Sequence, residues 1–366
     1  MIEQQARTIL SFIGFVVALI PLYWLLQAFN VGCILYSIWV AIVCLCQFIN
    51  GVMFMHTAED LSPAWCEIST RLQLMGGMGI VAAGLVIARR VSRITTDYAL
   101  TFDERREIYV DLFIGLAPPF SQLIEYYFMQ GHRYNVLEGI GCYPAIPSSI
   151  IYLSLSGIWP IIIGLASAVY CARTIWALFR RHRQIKELVA STNGLSLNKY
   201  YRLMVMATIE MLCTVPLGTY DLLGAVRSYY PWNGFADLHL NFDRVSQYPH
   251  DLIRKNWGHA PTGTLWYTNG CALIFFALFG FTSEARSFYG RVFLYLPRRL
   301  GLLTKNVVDI ERGGMQEQDH GDFVLRQPQV QDILTIDLEG SARSVESGEP
   351  ERSKSNSTTH STESFT

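Results

Sequence analysis

Seven stretches of the chain stay apolar over about a full bilayer-crossing length, separated by short polar segments. They run roughly 8–26, 31–50, 68–89, 107–128, 149–177, 203–225 and 262–283. A hydrocarbon core about 30 Å thick needs about 20 predominantly apolar residues per helix, so each stretch predicts a membrane span. The clearest are TILSFIGFVVALIPLYWLL and TLWYTNGCALIFFALFGF. The fourth, IYVDLFIGLAPPFSQLIEYYF, is the weakest, because it carries Asp111, Pro118, Pro119 and Glu125. A helix that is apolar all round also suits a soluble core, but seven in one chain favour the membrane. The predicted fold is therefore an all-α membrane protein, a seven-transmembrane helix bundle. The first stretch has only Arg7 as a basic flank and no A-x-A-like site after it, so it reads as a retained span, not a signal peptide.

On this pattern residues 1–7 form a short extracellular N-terminus and 8–283 the bundle. EARSFYGRVFLYLPRRL (284–300) mixes Arg with aromatic and aliphatic residues and predicts an amphipathic helix on the inner leaflet, touching membrane lipid. Residues 301–366 form a Ser/Thr-rich tail, with twelve Ser or Thr among the last 26 residues. Such a segment buries too little apolar surface to order itself, and suits either a plain solvated tail or a phosphorylation substrate.

Composition agrees. The chain is 51% hydrophobic and 16% charged, against about 25% charged in soluble proteins. A net charge of −1 with no basic stripe gives no sign of nucleic-acid binding. Charge distribution says more. With the N-terminus outside, the cytoplasmic segments hold sixteen Lys and Arg: five over 89–106, six over 180–202 and five over 286–305. The outer segments hold six: Arg7, Arg133, Arg227, Arg244, Arg254 and Lys255. The positive-inside rule thus puts the N-terminus outside and the C-terminus inside. The one N-x-[ST] sequon, at Asn356, then lies in the tail, out of reach of glycosylation.

Six of the eight cysteines fall within the apolar stretches. The other two, Cys66 and Cys142, lie at the extracellular side in an oxidising compartment and are expected to bond to each other. No histidine lies in a span, no zinc spacing or Gly-rich phosphate loop occurs, and no GxSxG or HExxH motif is present. These absences argue against an enzyme and against a metal or other cofactor.

An ionisable residue at the centre of a span costs about 2.5–3.5 kcal/mol, so each is a functional candidate. Arg71 can pair with Glu67 at i, i+4 near the outer mouth. Glu210 lies mid-way along the sixth span, where an arginine from the inner end of the third could lock onto it. Tyr220 and Asp221 lie near the outer end of the same span and are expected to face a pocket. Pro216, between Glu210 and Tyr220, removes one helix hydrogen bond and predicts either a hinge or a static kink. The loop QGHRYNVLEGIGC (130–142) is unusually polar for a connector.

Several stretches resemble the fungal pheromone receptors, particularly the basidiomycete mating-type receptors, a G-protein-coupled family. They are WCEIST (65–70), IARRVSRI (87–94), QGHRYNVLEGIGC, LCTVPLGTYDLL (212–223) and FFALFGFTSEARSFY (275–289). The third span ends in IARRVSRI instead of Asp-Arg-Tyr, and the seventh lacks Asn-Pro-x-x-Tyr, which sets the chain apart from rhodopsin-like receptors. The resemblance implies a plasma-membrane receptor whose ligand is a farnesylated peptide pheromone and whose partner is a heterotrimeric G protein. Physical reasoning then assigns Arg71, His132, Arg133, Tyr134, Glu138, Tyr220 and Asp221 to the outer, ligand-binding pocket. It assigns Arg89, Arg90, Arg93, Arg180, Arg181, Arg183 and Lys186 to the G-protein-facing side, with Glu210 and Pro216 as the switch. The rival reading, a seven-span transporter or channel, predicts a continuous polar path and an internal repeat; neither is evident.

Overall fold

The computed structural model describes residues 2–96, 104–180, 195–256, 260–282, 285–286 and 288–290, all within the compact unit Met1–Arg291. Each of the seven apolar stretches coincides with helix. The first is split: α1 (Ile2–Leu19) gives way to α2 (Leu22–Gln27) at Pro21, whose missing N–H cannot continue the ladder. Phe29 takes a positive φ of 47°, and the Asn30 side chain then accepts from Cys33 N at 3.4 Å, capping α3 (Val31–Met53). Next come α4 (Pro63–Thr96) and α5 (Glu104–Met129). A short α6 (Ile150–Tyr152) runs through a π-helical turn, Leu153–Gly157, into α7 (Trp159–Arg180). The sixth stretch is α8 (Leu195–Arg227). After the short α9 (Phe235–Leu238) and α10 (His250–Asn256) comes the seventh, α11 (Ala260–Phe279).

Five of these segments are long and apolar enough to cross a membrane: Glu3–Gln27, Val31–Met53, Pro63–Thr95, Ile150–Arg180 and Tyr201–Arg227. The apolar part of α11 is the shorter Leu265–Phe279. Helix α5 falls outside the five; it carries the polar side chains Asp111, Gln122 and Glu125.

The π-helical turn leaves one carbonyl to be satisfied from outside its own helix. In a π register the Leu155 carbonyl looks to the N–H of residue 160, which is proline and has none. Gln122 Nε2 of α5 donates to that carbonyl instead, at 3.2 Å, while Ser156 Oγ donates to Gln122 Oε1 at 2.8 Å. Burial satisfied this way ties α5 to the start of α7.

Helix α4 is the axis of the bundle, packing against α3, α5, α7 and α8, while α1 packs on α3 and α11. The main core gathers Tyr36, Val40, Ile80, Ile87, Met206, Phe275 and their neighbours. Large apolar side chains such as Phe113, Ile124, Trp176 and Phe179 point outward and stay exposed, as lipid-facing positions do.

The chain is not all-α. Three strands, β1 (Tyr134–Leu137), β2 (Gly141–Tyr143) and β3 (Val245–Tyr248), form a sheet in the order β2-β1-β3. β1 runs antiparallel to β2, pairing Val136 with Cys142, and parallel to β3, pairing Val136 with Gln247. The turn between β1 and β2 has Gly139 at φ 76° and Gly141 at φ 93°, values that only glycine adopts without strain. Tyr134, Val136 and Cys142 bury with Phe54 and Cys66, and Leu137 and Ile140 bury with Ile253. The polar stretch 130–142 is thus a folded cap, not a simple connector.

Of the segment expected as an inner-leaflet helix, only 285–286 and 288–290 are described. There Phe288 packs on Tyr23 and Trp24, with ring centroids 4.8 and 5.7 Å apart. The remainder of 284–300 and the tail 301–366 lie outside the described residues, as do Arg181, Arg183 and Lys186.

Candidate functional site

Cys66, in the first turn of α4, is bonded to Cys142 of β2. The bond pins the cap over one end of the bundle, and the neighbouring polar residues extend the attachment. Glu67 takes two arginines: Arg71 Nη1 at 2.7 Å from its own helix, and Arg133 Nη2 at 2.8 Å from the cap. All three are about one-third exposed, so each pair alone contributes little stability. Their value is positional. Glu67 raises the Arg133 guanidinium further above its ordinary value. Tyr134 OH donates to Asp60 Oδ2 at 2.7 Å, and Glu138 Oε2 accepts from His250 N at 2.9 Å. His132 Nε2 meets Asn135 Oδ1 at 2.8 Å, and its Nδ1 faces Arg244 Nη2 at 3.4 Å. That geometry uses a neutral ring, donating at Nε2 and accepting at Nδ1. Burial holds the His132 pKa below its ordinary value; the Asn135 bond opposes this and Arg244 adds to it.

Arg71, His132, Arg133, Tyr134 and Glu138 are therefore brought together at this end, but their bonds run into the protein and brace the cap. Tyr220 and Asp221 stand apart on α8 and are exposed. Burial pushes the Tyr143 phenol up to about 12, with Tyr152 and Asp221 adding to the effect, so Asp221 lies within electrostatic reach of β2.

One organising residue was not legible as such. Asn50, near the end of α3, donates to Ser69 Oγ at 3.0 Å and to the Cys142 carbonyl at 3.4 Å, and accepts from Trp65 Nε1 at 2.7 Å. Gln73 Nε2 donates to the same carbonyl at 3.2 Å. A Cβ at Gly141 would stand 2.6 Å from that of Asn50, so glycine is also required there for close approach. The available signal was an asparagine inside an apolar run.

Mid-bundle, the buried Glu210 of α8 accepts from Tyr36 OH of α3 at 2.9 Å, Tyr267 OH of α11 at 2.7 Å and Thr214 Oγ1 at 3.1 Å. The expected lock between an α4 arginine and Glu210 does not form. Glu210 instead packs at Gly84, where a Cβ would lie 2.7 Å from its Cγ. Arg89 is five residues further along α4, about 7.5 Å by helical rise.

The arginines find other partners. Arg89 pairs with Asp111 and, at 2.6 Å, with Glu107. Arg90 reaches Asp111 at 3.3 Å, and Arg93 reaches Glu107 at 3.1 Å. Arg89 and Asp111 are both buried, so the centre of this cluster clasps α4 to α5, while Arg90 and Arg93 stay partly exposed. Arg180, at the end of α7, lies over the Trp176 ring at 5.1 Å. Pro216 sits inside α8, which continues through it. Among the described residues, no group of three or more His, Cys, Asp or Glu is placed to hold a metal.

The arrangement is thus a disulfide-tied polar cap at one end, a carboxylate held by three hydroxyls in the middle, and an arginine–carboxylate clasp at the other end. Residues 6–301 match the family model described as STE3, pheromone A receptor. The chain is similar to the Pheromone B alpha 3 receptor of Schizophyllum commune, with 37% identity over 80% of this chain and 48% of that protein. It is similar to the Pheromone B alpha 1 receptor of the same fungus, 37% identical over 79% and 46%. Pheromone receptor 1 of Mycosarcoma maydis is 30% identical over 77% of this chain and 82% of its own length. The chain spans about half the length of the Schizophyllum relatives it matches.

Proposed function

The chain belongs to the STE3 pheromone A receptor family, and from that premise we propose that it is a seven-span receptor for a farnesylated peptide mating pheromone, coupled to a heterotrimeric G protein at the plasma membrane. The N-terminus and the disulfide end face outward, and the arginine end faces the cytoplasm. The observation that carries this reading is the cap. Tied by Cys66–Cys142 and Glu67–Arg133, it holds polar side chains at fixed positions over the bundle, where a peptide can be read by hydrogen bonds that a wrong peptide leaves unmade.

A prenyl chain partitions into the bilayer and concentrates the ligand there, while the peptide supplies discrimination. His132, Arg133, Tyr134, Glu138 and Arg71 shape the mouth, with Tyr220 and Asp221 of α8 lining its side. Peptide binding at Asp221 pulls on α8, and Pro216 lets its two halves move separately. Glu210 lies six residues away and binds α3 and α11, so movement there is felt by three helices. At the cytoplasmic end, loosening the Asp111–Arg89–Glu107 clasp frees Arg89, Arg90 and Arg93 for the G protein beside Arg180, Arg181, Arg183 and Lys186.

The test is expression in a yeast mating reporter, challenged with farnesylated peptides and their unprenylated counterparts. A response to a farnesylated peptide at least tenfold more sensitive than to its unprenylated form is expected. Equal responses to both forms, or signalling that persists after deletion of the Gα subunit, defeat the reading.

A further inference from the structure

Four charged side chains are buried in the described bundle: Arg7, Arg89, Asp111 and Glu210. Three have charged or hydroxyl partners, as set out above. Arg7 is the exception. It is 5% exposed, yet no protein acceptor lies within hydrogen-bond distance of its Nε or Nη1. Its Nη2 reaches only the Gly139 carbonyl, at a long 3.4 Å. Glu3, one turn earlier on α1, acts on it through its field but makes no hydrogen bond to it.

The surroundings form a polar seam. Directly below, Ser11 Oγ donates to the Arg7 carbonyl at 2.9 Å and meets Gln47 Oε1 at 3.4 Å. Asn269 Nδ2 of α11 donates to Ser11 Oγ at 3.1 Å. Above lies the β1–β2 turn of the cap, held so close that a Cβ at Gly139 would stand 2.2 Å from Gln4 Nε2. Arg7 thus sits where α1 meets the cap, at the head of a row of buried polar groups. A guanidinium is a planar fork of donors that matches the paired oxygens of a carboxyl group. A charge buried without such a partner is unfavourable, and binding energy is gained when a ligand supplies one.

We propose that Arg7 anchors a carboxylate of the bound peptide between α1 and the Gly139 turn. This rests on the peptide-receptor reading above and names the group that this part of the site takes. The unpaired Nε–H and Nη1–H lie on different edges of the guanidinium plane, so the carboxylate takes one of them together with the remaining N–H of Nη2. The cap turn closes the site from above.

The experiment is a cycle of receptor and peptide changes, read as reporter dose-response. Farnesylated peptides that activate the wild type are resynthesised with each carboxyl group, terminal or side-chain, reduced in turn to the alcohol. Arg7→Met, Arg7→Gln and Arg7→Lys receptors are compared at matched surface expression. One reduction is expected to cost the wild type ten- to a hundredfold in sensitivity and the Met and Gln receptors less than threefold, with Lys in between. If every reduction costs wild type and Arg7→Met equally, the inference is overturned and the receptor reading stands. If no peptide activates the wild type, the receptor reading falls and takes the inference with it.

Stability supplies the second arm. Purified full-length Arg7→Met without peptide is expected to melt at or above the wild-type temperature, because it removes an unpaired buried charge. A clear fall, or a Glu3→Gln receptor that reproduces the Arg7→Met phenotype, makes Arg7 a structural residue and ends the proposal.

Discussion

At the scale of single residues, the cap depends on protonation states as much as on contacts. His132 uses a neutral ring, so a proton at Nδ1 would remove the acceptor that faces Arg244 and place two cations together. Its folded pKa lies below the usual 6.5, mainly through burial. In an opened cap the ring binds a proton near 6.5, whereas in the closed cap it stays neutral to lower pH. The open form therefore holds more protons in that window, and closure weakens as pH falls through it. Above 6.5 the contribution is complete. Amide exchange over residues 134–143 of the full chain, corrected for intrinsic rates, should be less protected at pH 5.5 than at pH 7.5. His132→Gln should remove most of that difference, and equal wild-type protection at both values would sink the idea. Glu67 makes the matching case for pairs. Because it holds Arg71 and Arg133 together, Glu67→Ala and Arg133→Ala should each weaken the peptide response. The double variant should be little worse than either single one, since one interaction is being removed twice; additive losses would show that the two act separately.

Elements are joined by groups that a linear reading sees singly. Asp111 counts against α5 as a span, yet it is the buried partner of Arg89 and Arg90. Removing one member of a buried ionic group leaves the others uncompensated, at a cost of about 3–5 kcal/mol, whereas replacing the group by apolar residues of similar size is often neutral. Asp111→Leu should therefore lower the melting temperature sharply, and Asp111→Leu with Arg89→Met should recover much of it. Failure of the second change to restore stability would place the defect in packing, not charge. The same reasoning explains what was legible. The Cys66–Cys142 bond could be read because those two cysteines alone lie outside the apolar runs. The partners of Glu210 could not, since Tyr36 is 174 positions away and Tyr267 is 57, and a tyrosine within a span reads as apolar. An arginine was the natural expectation for a buried carboxylate, but α5 supplies carboxylates closer to the arginines. The sheet was missed for a different reason: YNVL, GCY and VSQY are too short to show alternation, and β3 comes from another loop. Long apolar periodicity fixes helices locally, whereas partner choice depends on which helices become neighbours.

For the whole molecule, the two ends differ in chemistry, and that difference gives a direction. At the disulfide end an aromatic chain runs from Tyr127 through His239 and Phe235 to Trp232, with Phe128 and Phe242 beside it. Aromatic rings of this kind favour the boundary between hydrocarbon and headgroups. The other end carries the arginine clasp and Arg180. Cysteine pairing requires an oxidising compartment, and an excess of Lys and Arg marks the cytoplasmic side. Both arguments favour the orientation proposed above, one from redox chemistry and the other from the charge bias of insertion. The orientation is open to a direct test. Asp243→Thr turns Asn241-Phe242-Asp243 into an N-x-T acceptor in the exposed loop before β3, while the natural acceptor at Asn356 stays in place. With the disulfide end outside, the variant gains a glycan removable by endoglycosidase, and Asn356→Gln leaves the mobility of the wild-type chain unchanged. The reverse orientation predicts the opposite pair of results, a modified Asn356 and an unmodified Asn241. That outcome would place the cap in the reducing cytosol and remove the reason for its bond, and the site argued for Arg7 would then face the wrong compartment to meet a secreted peptide.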